Sequence, residues 1–273
     1  MRTASEMRRL FFPWLFVGSF TVLFACGGST RDDGSPGPNA DGPDAAPKAD
    51  RPQRIVPKTW CDNQPKHTFC ADFDRGGIYD AFETVRIEKS NGDALLGASD
   101  RSPPSALVLT GKASGTDESF SGGAYVAQII KVDTPKRIRL GVDVRIDAVG
   151  IREDGGRQQV AFLGLAGRAD LFLDMALNLR KTKTELQGGA QEGPAPGPVE
   201  DPPRGRWFRL ELVVTSDGGG AMELRYDGRL IAARASPAGI PRASLVVVGL
   251  GSVSYGPMDA SGMTYDNVTL DVE

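Results

Sequence analysis

Histidine is nearly absent from this sequence: its 273 residues include one histidine and three cysteines. Structural zinc sites use four ligands, and serine or cysteine nucleophiles need a basic partner such as histidine. His67 lies in a short segment between Cys61 and Cys70, and we interpret it as an exposed loop residue. The sequence therefore predicts no zinc site and no catalytic residues built around a histidine.

An excess of positive charge is also lacking. The sequence has 32 Lys and Arg against 35 Asp and Glu, a net charge of −3, and only 7% of its residues are aromatic. A surface that binds phosphates needs a basic excess, so nucleic acid is not expected as a partner. After residue 26 no apolar stretch approaches the roughly 20 residues that a membrane-spanning helix requires.

The N-terminal segment is the one long apolar stretch. It runs from Leu10 to Cys26 and follows Arg2, Arg8 and Arg9. A basic start, a short apolar run and small residues at its end are typical of a secretory signal peptide. An uncleaved membrane anchor remains the alternative.

The end of this run, Leu23-Phe24-Ala25-Cys26, resembles the lipobox of bacterial lipoproteins. The resemblance implies cleavage after residue 25 and acylation of Cys26 with chains such as palmitate, so that the lipid is the protein's contact with the membrane. Gly27 and Gly28 follow without an aspartate, which in similar lipoproteins implies the outer membrane of the cell envelope. Which membrane face the protein occupies stays open, and so does an ordinary secretory peptide with an incidental cysteine.

Three regions follow from composition: a signal at 1–25, a linker at 26–54 and one folded domain at 55–273. Residues 27–54 contain no aromatic residue and no Leu, Ile or Val. Such a segment cannot bury enough apolar surface to offset its ordering entropy, so we expect a disordered tether. In the exported domain, Cys61 and Cys70 form an even pair and are predicted to form a disulfide. A thiol or metal pair is the alternative.

The domain alternates apolar and polar residues with a period of two. Clear examples are 139–147, 171–179 and 208–214, and no convincing helix is present. Alternation of this kind predicts half-buried antiparallel strands. Asp227-Gly228 is typical of a two-residue hairpin turn, and the Pro- and Gly-rich residues 188–205 are predicted to form a long loop between strands. The sequence therefore predicts an all-β, two-sheet antiparallel sandwich.

Short motifs near both ends of the domain support a family resemblance. Phe69-Cys70-Ala71-Asp72-Phe73-Asp74 opens it, and Tyr265-Asp266-Asn267-Val268 lies in its closing strand. With a Trp before an alternating strand and the Asp-Gly hairpin, these resemble the concanavalin A-like lectin/glucanase jelly rolls, including laminin-G-like domains. The resemblance implies adjacent first and last strands. It also implies a structural Ca²⁺ held by Asp266, with Asp72 or Asp74 nearby; the alternative is that Asp266 bonds only the local backbone.

The glucanases of this family use closely spaced acidic residues on one strand, and Asp170-Leu171-Phe172-Leu173-Asp174 is the nearest match. Retaining hydrolysis needs carboxyls about 5–5.5 Å apart, whereas residues i and i+4 of a strand are roughly 13 Å apart. We therefore predict a non-catalytic envelope lipoprotein whose jelly roll binds glycan or a cell-surface protein. A divergent hydrolase or lyase, or a purely structural lipoprotein, is the alternative. The predicted ligand-binding residues are Phe172, Asp170, Asp174, Asn178, Tyr125 and Gln159.

Overall fold

The structure of the protein is a computed structural model that describes residues 58–88, 91–113, 122–152, 156–166, 171–189, 197–216, 220–235 and 243–273. Within these ranges, side chains are not described for residues 86–88, 171–174, 189, 197 and 255. All described residues belong to one compact unit, Ile55–Glu273. The predicted signal, the acylated Cys26 and the predicted linker lie outside the described residues.

Strands dominate the described residues. The helical elements are a 3₁₀ turn (Cys61–Asn63) and one helical turn, α1 (Ile78–Ala81). The strands are β1 (Phe69–Ala71), β2 (Thr84–Glu88), β3 (Gly92–Ala98), β4 (Ser105–Gly111), β5 (Gly122–Lys131), β6 (Arg137–Ala148), β7 (Arg157–Ala166), β8 (Leu171–Leu179), β9 (Thr184–Gly189), β10 (Gly197–Val199), β11 (Trp207–Thr215), β12 (Ala221–Tyr226), β13 (Arg229–Ala235), β14 (Leu245–Tyr255) and β15 (Ser261–Val272). Among these residues no helix is long and apolar enough to cross a bilayer.

The strands form two antiparallel sheets that pack face to face. The eight-stranded sheet has the order β13-β12-β11-β6-β15-β4-β3, with β1 paired to β15. The seven-stranded sheet has the order β10-β9-β8-β7-β14-β5-β2. This is a jelly-roll sandwich, so the predicted fold class is confirmed.

Alternation along each strand determines which side chains enter the core. In β6, Leu140, Val142 and Val144 are at most 1% exposed, whereas the intervening residues point away from the other sheet. Tyr265 of β15 is fully buried, and its hydroxyl donates to the carbonyl of Val160 on the opposing sheet at 2.7 Å. Each fully buried Val or Leu contributes about 1.5–3 kcal/mol, so the two inner faces hold the sheets together.

Three local predictions are confirmed. The first and last strands are neighbours, because Phe69 lies opposite Leu270. Cys61 and Cys70 form a disulfide. The hairpin between β12 and β13 turns at Asp227 and Gly228, both with positive φ (49° and 79°), as a two-residue turn of this type requires.

The prediction of an unstructured loop at 188–205 is wrong in part. Gly188 and Gly189 complete β9, and β10 adds to β9 as an antiparallel edge strand. Pro198 lies opposite Glu185 at this edge, where a missing backbone N–H can be tolerated because, among the described strands, β10 pairs only with β9. Residues 190–196 lie outside the described residues.

Candidate functional site

Three of the six predicted ligand-binding residues, Gln159, Asn178 and Tyr125, belong to the outer face of the seven-stranded sheet, the face turned away from the other sheet. Met175, Leu177 and Leu179 of β8 are in the core, so Asn178 points to the outer face. Gln159 of β7 lies opposite Asn178 in register, and half-buried Tyr125 lies on β5, opposite Gly251 of β14. The sheet thus brings Gln159 and Asn178 together, whereas Tyr125 lies two strands away from Gln159.

Three other predicted residues cannot be placed as side chains. Asp170 lies outside the described residues, and for Phe172 and Asp174 the structure describes the strand but not the side chain. The Cα of Asp174 lies opposite Gly164 of β7 and Gly189 of β9. The roles proposed for these three residues, and the separation of the two carboxyls, stay predictions.

An amide and guanidinium cluster, which the sequence did not predict, lies beside Asn178. Gln187 of β9 accepts hydrogen bonds at its Oε1 from Arg157 Nη1 at 2.9 Å and from Asn178 Nδ2 at 3.1 Å. We call Arg157, Asn178 and Gln187 the amide cluster. Asn178 is 2% exposed, and within the described part of the chain its Oδ1 has no hydrogen-bond partner. An unsatisfied buried acceptor costs about 1–3 kcal/mol, so it marks a place where a donor is needed.

Phe162 supplies an aromatic surface on the same face. It alternates with the core residues Ala161 and Leu163 and lies opposite Ala176 on one side and Gly249 on the other. A Cβ at Gly249 would overlap the Phe162 ring, so the glycine is required for the ring to lie across β14. Its neighbours on the two adjacent strands, Ala176 and Gly249, are small, and the ring is half-buried.

The edge of this face carries a buried acid held by two cations. Glu185 of β9 is 4% exposed and accepts from Arg180 Nε, while Lys183 Nζ lies 2.8 Å from its Oε1. Burial alone would raise the pKa of Glu185, but the hydrogen bonds from Lys183 and Arg180 bring the pKa below its ordinary value. Glu185 is therefore an ionised, paired carboxylate and not a proton donor near neutral pH.

Asp266, the predicted calcium ligand, forms hydrogen bonds to the loop between β3 and β4. Its Oδ2 accepts from Ser99 Oγ at 2.7 Å and from Ser102 Oγ at 2.9 Å, and its Oδ1 accepts from the backbone N–H of Asn267. Burial raises the pKa of this carboxyl to about 6, although the bonds from Ser99 and Ser102 oppose the shift. Both oxygens already face donors, which is not the arrangement that a hard cation requires.

The other two predicted calcium ligands are also engaged by backbone donors. Asp72 accepts from the N–H groups of Cys61 at 2.7 Å and of Asp74, and Asp74 accepts from the N–H of Ser105 at 3.2 Å. Among the described residues, no group of three or more His, Cys, Asp and Glu side chains is placed to hold a metal ion. The residues therefore do not fit the expected site, and calcium binding stays a prediction.

The outer face of the eight-stranded sheet carries a second polar region. His67 is not an exposed loop residue, because only 16% of its side chain is exposed and its Nδ1 lies 2.7 Å from Asp271 Oδ1. Trp207 is half-buried on this face, where its indole N–H donates to Asp100 at 2.6 Å. A cleft of about 380 Å³ opens here, lined by residues that include Trp60, His67, Arg101, Arg139 and Arg209. Sequence reasoning missed it, since its residues are spread over more than 200 positions.

No protein-family model and no curated protein matches this chain. Solved structures do match it. An endo-β-1,4-glucuronan lyase from the fungus Trichoderma reesei is 15% identical, with 76% of this chain and 96% of that chain covered and a TM-score of 0.54. A glycosyl hydrolase family protein from Mycobacterium fortuitum is 14% identical, with 76% and 100% covered and a TM-score of 0.51. The cellulose induced protein Cip1 is 11% identical, with 74% and 96% covered and a TM-score of 0.51. At these identities the likeness shows the fold, a concanavalin A-like jelly roll.

Proposed function

We propose that this protein binds an acidic polysaccharide on the outer face of its seven-stranded sheet. The observation that carries the proposal is the amide cluster, in which Gln187 joins Arg157 to Asn178. Arg157 lies on the same strand as Phe162, and Asn178 lies on the neighbouring strand β8. Binding without catalysis is the reading that we favour. A protein partner on the cell surface is the competing ligand.

The chemistry of this face suits a uronate polymer. A guanidinium pairs with carboxylates more strongly than neutral donors do, and Arg157 is oriented by its bond to Gln187. Apolar sugar faces stack on aromatic rings, and the half-buried amides of Gln159 and Gln187 can bond sugar hydroxyls. Phe162 and Arg157 are five residues apart on β7, so they would contact successive units of one acidic sugar chain.

The structural neighbours are consistent with this ligand class. One is a glucuronan lyase, and another, 14% identical with a TM-score of 0.50, is an alginate lyase mutant in complex with an alginate tetrasaccharide. Because the likeness extends only to the fold, the ligand is inferred from the side chains of this chain. The neighbours also make a lyase or hydrolase the second candidate function.

Binding of polyglucuronate and alginate oligosaccharides to the purified protein, measured by calorimetry, tests the proposal. Arg157→Ala is expected to weaken binding at least about tenfold, because a charge-assisted hydrogen bond is lost. The matched control is Arg152→Ala, which removes an arginine that pairs with Asp259 at the surface. Equal affinity in the wild type and Arg157→Ala would contradict the proposal. Release of unsaturated or reducing sugars during the titration would identify the protein as an enzyme.

We also propose that the protein is held in the bacterial envelope, at the outer membrane, by lipid on Cys26. This rests on the basic start, the apolar run and the Leu-Phe-Ala-Cys ending of the N-terminal segment. The Gly- and Pro-rich residues 27–54 would then hold the jelly roll away from the lipid surface. An anchored domain with an open sugar-binding face is suited to capturing polysaccharide near the cell.

A further inference from the structure

The cleft on the outer face of the eight-stranded sheet lies on the opposite side of the sandwich from the amide cluster. Its floor is formed by β6, β11 and β15, and one wall is the segment just before β1, which carries Trp60 and His67. The Cys61–Cys70 disulfide and the pairing of β1 with β15 fix this wall to the sheet. We call this region the arginine cleft.

The planar guanidinium group of Arg209 forms the centre of the floor. The Arg209 guanidinium donates to Thr269 Oγ1 at 2.6 Å and to the Asn267 carbonyl, and it lies 5.9 Å from the centre of the Trp60 ring. A Cβ at Gly141 would overlap Nη2 of Arg209, so only a glycine at this position of β6 leaves enough space for the guanidinium. Only 22% of the Arg209 side chain is exposed, and this burial lowers its pKa against the opposing effect of Asp143 and Glu211.

Two further arginines stand at the opening, each held from below by a buried acid. Arg101 Nε donates to Asp143 Oδ2 at 2.9 Å, and Arg139 donates to Glu211. Asp143 and Glu211 are 3% and 5% exposed, whereas 44% of the Arg101 side chain and 46% of the Arg139 side chain is exposed. A guanidinium has five N–H donors, so one bond to a carboxylate leaves most of them for other acceptors.

Three arginines and three acids line the cleft, so their formal charges cancel, but the charged groups lie at different depths. Asp143 and Glu211 lie beneath the arginines. Asp143 also accepts a hydrogen bond from Asn267 Nδ2 at 2.8 Å, so its oxygens are already bonded inside the floor. The groups that meet solvent at the opening are the guanidinium edges of Arg101 and Arg139 and, on the wall, the Asp271 carboxylate, which is 32% exposed and bonded to His67. Such edges match carboxylate and sulfate oxygens in pairs, which a lysine cannot do.

From this geometry we propose that the arginine cleft is a second binding site, for a small organic ligand that carries a carboxylate or sulfate group. The oxyanion binds the N–H edges of Arg101 and Arg139, and the organic part lies against Trp60. His67 and Asp271 complete the wall as a bonded pair. The site is independent of the proposed polysaccharide-binding face, since no residue is shared.

The test is titration of the protein with D-glucuronate, with D-glucose 6-sulfate and with uncharged D-glucose. The readout is the indole N–H resonance of Trp60, assigned by its loss in Trp60→Phe, because this signal reports on the cleft and not on the other face. We expect saturable shifts with one or both anionic sugars and none with glucose. The anionic sugar that binds with the higher affinity identifies the oxyanion that the cleft prefers.

Arg139→Ala is expected to weaken this binding at least about tenfold. Arg137→Ala is the matched control, because Arg137 lies on the same face of β6, is also 46% exposed and pairs with Glu273 outside the cleft. Equal shifts with glucose, equal affinity in Arg139→Ala, or an equal loss in Arg137→Ala would each overturn the proposal. So would the absence of a saturable shift with either anion.

Discussion

Replacing Asp266 with asparagine is expected to remove a pH dependence of stability from the protein. The Asp266 carboxyl is fully buried at the centre of a loop contact, where it binds Ser99 and Ser102. Burial raises its pKa from 3.8 to about 6, so the folded protein binds this proton more tightly than the unfolded chain does. Ionisation of Asp266 therefore works against folding.

The size of the effect follows from the shift. A raised pKa adds to the free energy of unfolding at low pH, and this contribution is lost as the pH rises from about 3.8 through about 6. A shift of about two pKa units corresponds to about 3 kcal/mol. Of this, about 2 kcal/mol is lost between about pH 4.5 and about pH 7.5.

Urea denaturation at both pH values measures the free energy of unfolding with the disulfide intact. Wild-type protein should lose about 2 kcal/mol more than Asp266→Asn does over this interval. Asp259→Asn is the control, because it removes an acid that is 63% exposed and paired with Arg152 at the surface. A difference between wild type and Asp266→Asn that is constant with pH, within about 0.5 kcal/mol, would refute the reasoning.

Three further predictions concern other parts of the chain. Replacing Cys61 and Cys70 with serine should lower the free energy of unfolding by about 2–3 kcal/mol in urea, because the unfolded chain loses a ten-residue loop constraint. Gly249→Ala should cost about 1–3 kcal/mol by forcing the Phe162 ring aside; if Phe162→Ala in the same chain does not recover part of this loss, the overlap is not the cause. Cys26→Ser should move the protein from the membrane fraction to the soluble fraction of lysed cells, and unchanged fractionation would contradict the lipid anchor.

The strands and their inward faces were predictable because each depends on neighbours in sequence. Leu140, Val142 and Val144 alternate with charged residues or glycine, and this pattern alone assigns them to the core. The Asp227-Gly228 turn and the pairing of Cys61 with Cys70 are equally local. The short β10 was missed because Pro- and Gly-rich composition indicates a loop, whereas pairing at a sheet edge depends on β9.

Which residues come together in the candidate sites depends on the register between strands, and the sequence alone does not show that register. Of the amide cluster, only Asn178 was predicted, because Gln187, which bonds it, and Arg157, which bonds Gln187, lie on two other strands. Phe172 was predicted because it lies among Asp170, Asp174 and Asn178, and its role stays a prediction. Phe162 was not considered, although a signal for it was available in Gly249, a glycine inside an apolar strand. A glycine where a β-branched residue is expected indicates a close approach by another side chain.

The sequence by itself determined that the domain is a two-sheet sandwich, since a period of two gives every strand one apolar face that must be covered. Tertiary structure decided what the outer faces display. Arg209 reaches Thr269 across Gly141, and Trp60 covers it from a segment about 150 residues earlier in the chain. Hydrogen-bonded register places such residues side by side, and no local pattern encodes it because the partners of each strand lie far away in sequence.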